Sequence, residues 1–133
     1  VTKGPARGSG LVPSVPSRAH KGRVAEDAAV SDLLARGWEI VARNWRRGSG
    51  ELDIVALKDG LLAFVEVKAV DAYGLESLES SVGWRKRQRI IETSKLFIAM
   101  HREFKYMAVR FDVVSVVADA VTEHFESAFA ERT

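Results

Sequence analysis

Apolar positions change their period several times along the chain, and each change marks an element. Residues 20–36 are rich in alanine and stop at Gly37, which predicts a helix closed by a glycine just past its end. Trp38–Arg43 (WEIVAR) predicts a strand and Asn44–Gly50 a loop. Glu51–Leu57 (ELDIVAL) and Leu61–Lys68 (LLAFVEVK) predict two strands joined through Lys58-Asp59-Gly60. Residues 69–82, with Ser, Glu and Gly throughout, read as a long loop. Gly83–Glu103 has no internal glycine or proline, and Ile90, Phe97 and Ile98 share one apolar stripe, so a second helix is expected. Val109–Val117 (VRFDVVSVV) is a β-branched strand, and the last 16 residues fit neither period. The order α-β-β-β-α-β predicts an α/β fold, a mixed central sheet flanked by helices.

The register of the predicted hairpin carries the chemistry. Asp59-Gly60 is a preferred pair for a two-residue type I′ turn, which sets Lys58 opposite Leu61. Extending that register puts Asp53 opposite Glu66 and Glu51 opposite Lys68, all on one face with Val55, Leu57, Leu62 and Phe64. The other face carries Leu52, Ile54, Ala56, Ala63, Val65 and Val67 and is apolar throughout. A hairpin apolar on both faces belongs inside a sheet covered on both sides. Three carboxylates at its end are costly there, because like charges directly opposite one another repel. Lys68 is expected to neutralise Glu51, but Asp53 and Glu66 still need a positive charge between them. A divalent cation supplies one, and oxygen ligands without His or Cys favour Mg²⁺ or Mn²⁺ over zinc. The alternative is a sheet end closed by salt bridges, with arginines from neighbouring elements covering the acids. Glu26, on the stripe of Ala29, Val30 and Leu33, is a further acid directed at the sheet, whereas Asp27 points elsewhere. Such a glutamate serves either a site or a helix-end charge interaction.

Composition narrows the classes. The 133 residues suffice for one domain, and they contain no cysteine. A disulfide framework, a thiolate metal site and a cysteine nucleophile are thereby excluded. His20, His101 and His124 have no metal-binding spacing, and no apolar run approaches a membrane span. A soluble cytoplasmic domain is expected. Residues 1–18 hold all three prolines, with Lys3, Arg7 and Arg18 and no acid, and read as a flexible basic tail ahead of a domain over 19–133. Of the 20 basic residues, the 17 outside that tail face 18 acids, so net charge alone does not point to nucleic acid. Two local clusters do: Arg43-Asn44-Trp45-Arg46-Arg47, and Trp84-Arg85-Lys86-Arg87-Gln88-Arg89 at the start of the second helix. The plainer reading of both is a solvated basic face, with Trp45 filling the core edge rather than stacking on a base.

Asp53 followed by Glu66-x-Lys68 across a tight hairpin, between two helices, resembles the core of the PD-(D/E)XK nucleases. More narrowly, the chain resembles the YraN family of small bacterial proteins, which are similar to archaeal Holliday junction resolvases. The stretches that carry the likeness are Gly22-x-x-x-Glu26, Arg43-Asn44-Trp45-Arg46, Gly50-Glu51-Leu52-Asp53, Phe64-Val65-Glu66-Val67-Lys68, Lys86-Arg87-Gln88-Arg89, Arg110-Phe111-Asp112-Val113-Val114 and Ala128-Phe129. They span about residues 20–130.

The resemblance implies a restriction-endonuclease-like fold and Mg²⁺- or Mn²⁺-dependent hydrolysis of phosphodiester bonds in DNA, branched or single-stranded. Asp53 and Glu66 would hold the metal, Lys68 would orient or activate the attacking water, and Glu26 would assist from the helix. Glu51 matches the family's acidic motif. Arg43, Arg46, Arg47, Arg85, Lys86 and Arg89 are the expected nucleic-acid contacts. A resolvase would need two active sites and hence a homodimer. The competing expectation is a nucleic-acid-binding accessory protein that keeps the fold and does not cut.

Overall fold

The computed structural model describes residues 18–70 and 83–131. In chain order the elements are α1 (Arg18–Ala35), β1 (Glu39–Arg47), β2 (Gly50–Lys58), β3 (Leu61–Val70), α2 (Trp84–Met100), a single 3-10 turn (Arg102–Phe104), β4 (Ala108–Val117) and β5 (Ala120–Phe129). The five strands form one sheet in the order β1-β2-β3-β4-β5. Neighbours are antiparallel except β3 and β4, which are parallel, as a crossover through α2 requires. The α/β class and the α-β-β-β-α-β order are those expected. The chain end that fitted no period is β5, paired with β4. The basic tail and most of the predicted loop, residues 1–17 and 71–82, lie outside the described residues. Among those described, no helix is long and apolar enough to cross a membrane.

α1 ends in a Schellman motif. Trp38 N–H donates to Leu33 O and Gly37 N–H to Leu34 O, both at 3.0 Å, with Gly37 at φ +91°. The residues joined by the first bond, Leu33 and Trp38, are both buried in the layer under α1. Small side chains, Ala25 and Ala29, let this helix lie close on Ile54, Ala56, Ala63, Val65, Val114 and Val116. On the other face α2 presses Ile90, Ile91 and Phe97 against Leu52, Val55, Leu62, Phe64 and Phe111. The aromatic layer continues through Phe64, Phe111 and Phe129, with ring centroids 5.6 and 5.1 Å apart.

Two expectations about the strands are corrected. β1 does not stop at Arg43. It runs to Arg47 through Asn44, which adopts φ +49°, and turns back through Gly48-Ser49. Leu52 was expected on the face of Ile54, but it packs with Val55 on the α2 side. Strict alternation fails at Asp53, opposite the Asn44 distortion, where the rungs are Arg43↔Ile54 and then Trp45↔Leu52. Trp45 consequently packs inward, edge-on to Phe97 at 5.2 Å, and takes the core-edge role rather than a base-stacking one.

Candidate functional site

The Asp59-Gly60 turn has both residues at positive φ, +50° and +77°, and sets Lys58 opposite Leu61 as the type I′ reading requires. From that turn β2 and β3 stay paired as far as Ile54↔Val65. Beyond this rung they part. β2 continues beside β1, with Glu51 opposite Arg46, while β3 continues beside β4 to Val70. In the wedge between them Asp53 Oδ2 accepts the backbone N–H of Val67 at 2.9 Å, a side-chain bond in place of a ladder bond.

The splay changes the acid pairing. Glu51 does not face Lys68; its Oε2 accepts from Arg46 Nη2 at 3.2 Å, and the carboxylate is substantially exposed. Asp53 and Glu66, however, do come together on the wall of one cavity, each carboxyl acting on the other. Glu66 is 5 % exposed, and Lys86 of α2 brings Nζ to 3.2 Å from its Oε1. Burial, reinforced by the charge of Asp53 and opposed by Lys86, pushes the Glu66 carboxyl up to about 8. Asp53 is also raised by burial, against the Val67 N–H, the Glu66 carboxyl and Lys86. Two carboxyls so placed need a proton or a cation between them.

Around this pair lies a cavity of about 340 Å³ lined by the Ser49-Gly50 turn, Glu51, Asp53, Glu66, Lys86 and Arg89. The turn is held there by α2: a Cβ on Gly50 would stand 2.0 Å from Thr93 Oγ1, so only glycine fits the approach. Lys68, half-buried on β3, has its ammonium pKa lowered by burial and then by Lys86, against the opposing pull of Glu66 and Asp53. Glu26 lies on α1. Burial raises its carboxyl, Asn44 Nδ2 donates to its Oε1 at 2.8 Å, and Asp53 adds to the rise.

Both carboxylates offer hard oxygen donors, and Mg²⁺ or Mn²⁺ takes one or two of these and keeps several waters. Among the described residues no group of three or more His, Asp or Glu side chains converges to hold a metal ion. Glu51, Asp53 and Glu66 are the carboxylates on the wall of that cavity.

The basic clusters divide. Arg43 donates to Asp27 at 2.7 Å and lies 3.8 Å from Glu26, and Arg46 is on Glu51, so both serve carboxylates of this chain. Arg47 and Arg89 flank the Ser49-Gly50 turn in a second groove of about 400 Å³ that shares Ser49, Gly50 and Arg89 with the acid cavity. Arg85 is exposed at the start of α2.

A family model described as "Uncharacterised protein family UPF0102" matches residues 25–116. The chain belongs to UPF0102. It is 44 % identical over 98 residues to a UPF0102 protein of Treponema pallidum (strain Nichols), covering 74 % of this chain and 78 % of that one. A relative from Azorhizobium caulinodans is 41 % identical over 123 residues, covering 88 % and 92 %, and one from Petrotoga mobilis is 38 % identical over 106, covering 79 % and 93 %. The span matched to UPF0102 takes in Glu26, the whole hairpin and α2.

One polar cluster of this UPF0102 chain is not announced by the sequence, in which His124 has no metal-binding spacing. Asp112 of β4 is fully buried and is bound by both Arg110 and His124. The available signal was Arg110 and Asp112 two apart on a strand that is otherwise nearly all apolar. The contact of Lys86 with Glu66 was likewise not foreseen, since Lys86 was assigned to phosphate.

Proposed function

We propose that this protein is a divalent-metal-dependent nuclease of the PD-(D/E)XK type that hydrolyses phosphodiester bonds in DNA, branched or single-stranded. The observation that carries the reading is the buried Asp53–Glu66 pair, set where two strands part and open to a polar cavity. A purely structural role gives no reason to bring two acids together inside a sheet. Asp53 and Glu66 are the residues that would hold Mg²⁺ or Mn²⁺. Such an ion, when bound, supplies charge neutralisation at the scissile phosphate and acidifies a water. Lys68 stands next along β3, and its lowered ammonium pKa suits it to hold or take a proton of the attacking water. Glu26, bonded by Asn44 and close enough to feel the charge of Asp53, would assist from α1. Arg89 at the cavity wall and Arg47 beyond the Ser49-Gly50 turn provide phosphate contacts on either side of the turn.

The accessory reading draws on a specific observation too. Lys86 already sits on Glu66, as a protein base covering an acid. The two readings separate in one experiment. Mn²⁺ is titrated by calorimetry into wild type and Asp53→Asn, and branched and single-stranded DNA are incubated with the same samples. The nuclease reading expects binding and metal-dependent cutting by wild type, with both lost in Asp53→Asn while DNA affinity without metal is kept or raised. An Asp53→Asn variant that cuts as well as wild type removes the site. Absence of metal binding in wild type, with DNA present, favours the accessory protein.

A further inference from the structure

Lys86 is rooted in the first turn of α2 with its side chain 45 % exposed, yet its Nζ lies 3.2 Å from the carboxylate of Glu66, whose side chain is 6 % exposed. Its charge also acts on Asp53, favouring the carboxylate, and on Lys68, disfavouring the ammonium. A flexible surface stem thus delivers a single positive charge to the acid pair, where Lys68 is held by the sheet. Arg89, one turn further along α2, lines the same cavity.

From this arrangement we infer that Lys86 is a placeholder for the divalent ion: it covers Glu66 in the metal-free protein, and when the ion occupies the acid pair its ammonium turns to the cavity mouth beside Arg89 and binds a phosphate of the nucleic acid. The inference rests on the metal-dependent reading above and deepens it. An ammonium and a divalent ion cannot both occupy one carboxylate without strong like-charge repulsion at a few ångströms. The side chain with the exposed stem is the one that moves. Four methylenes give it reach, and half its surface is already in water. Its metal-free contact also prevents Lys86 from holding DNA until the site is loaded, so metal and substrate binding become linked.

The test uses the full chain as wild type, Lys86→Met and Lys86→Arg, with Asp53→Asn as control. Mn²⁺ affinity is measured by calorimetry, and affinity for a short single-stranded oligonucleotide by fluorescence anisotropy, with and without Mn²⁺. Removing the competing charge is expected to tighten Mn²⁺ binding by about tenfold in Lys86→Met and to leave Lys86→Arg near wild type. Without Mn²⁺, wild type and Lys86→Met should bind the oligonucleotide within about twofold of one another; with it, Lys86→Met should be weaker by roughly three- to tenfold. Circular dichroism establishes that each variant is folded. Unchanged or weaker Mn²⁺ binding in a folded Lys86→Met overturns the placeholder role while the metal site stands. Equal oligonucleotide affinities in the presence of Mn²⁺ overturn the move to phosphate. No Mn²⁺ binding by wild type, or full binding by Asp53→Asn, overturns the metal reading and this inference with it.

Discussion

Asp112 shows how much one side chain can organise. Its Oδ1 accepts from Arg110 Nε at 2.8 Å and from Ser127 N–H at 3.0 Å; its Oδ2 accepts from Arg110 Nη2 and His124 Nε2, both at 2.8 Å. Arg36 contributes its guanidinium to His124 Nδ1. A guanidinium only donates, so Nδ1 accepts and Nε2 carries the hydrogen given to Asp112. Burial opposes the charge of Asp112, but the bonds from His124, Arg110 and Ser127 outweigh it and hold its pKa below the ordinary value. A carboxyl more acidic in the folded than in the unfolded chain stabilises the fold above the unfolded pKa, about 3.9, and that stability is lost as pH falls through the depressed value. Asp112→Asn should cost about 1–3 kcal/mol at neutral pH, since it removes the charge that Arg110 Nη2 meets at 2.8 Å and leaves that guanidinium Glu126 at 3.6 Å. Urea midpoints between pH 7 and pH 3 check both statements. Wild type should lose more of its midpoint toward pH 3 than Asp112→Asn, and parallel curves would refute the linkage. At the acid pair, the meeting of Asp53 with Glu66 was legible in the hairpin arithmetic. The Arg110–Asp112–His124 set was not, because it joins β4 to β5, whose pairing no local pattern announces.

At the scale of elements, the parting of β2 from β3 is the device that opens the site. The Asp59-Gly60 turn and the apolar alternation made the hairpin readable as far as Ile54↔Val65. They could not show where pairing ends, because that depends on β1 drawing Glu51 and Leu52 to itself and on Asp53 taking the Val67 N–H. The extended register therefore assigned Glu51 to Lys68 when it belongs to Arg46. The close approach of Gly50 to Thr93 is the clamp that keeps this end of β2 against α2. Gly50→Ala should destabilise the protein by about 1–3 kcal/mol through overpacking, since Thr93 is β-branched and its hydroxyl is also bonded to Arg89 O at 2.6 Å. Thr93→Ala in the same chain should recover part of that loss. A double-mutant cycle read from denaturant midpoints measures the coupling, and strictly additive effects would show that the two residues do not meet.

For the molecule as a whole, charge distribution matters more than the net +2. Two arginines of β1 are engaged internally, Arg43 with Asp27 and Glu26, and Arg46 with Glu51. Arg47 and Arg89 instead flank a groove continuous with the acid cavity through Ser49 and Gly50. A nucleic-acid backbone laid across the Asp53–Glu66 pair would therefore leave along the β1–β2 turn and the first turns of α2, not along the α1 side of β1. The sequence clusters treated Arg43, Arg46 and Arg47 as equivalent because adjacency in a basic run carries no information on which guanidinium already has a carboxylate. Replacing Arg47 and Arg89 together with Gln should weaken DNA binding and lower the slope of log affinity against log salt by about 1.4–1.8, the amount expected for two lost phosphate contacts. Arg43→Gln should leave that slope within error of wild type and cost some stability instead, because its partners are on α1. Anisotropy titrations across a range of salt concentrations decide between the two paths. A slope that falls for Arg43→Gln and not for the Arg47/Arg89 pair would move the substrate to the α1 side of the wedge, where Glu26 rather than Lys86 would meet it first.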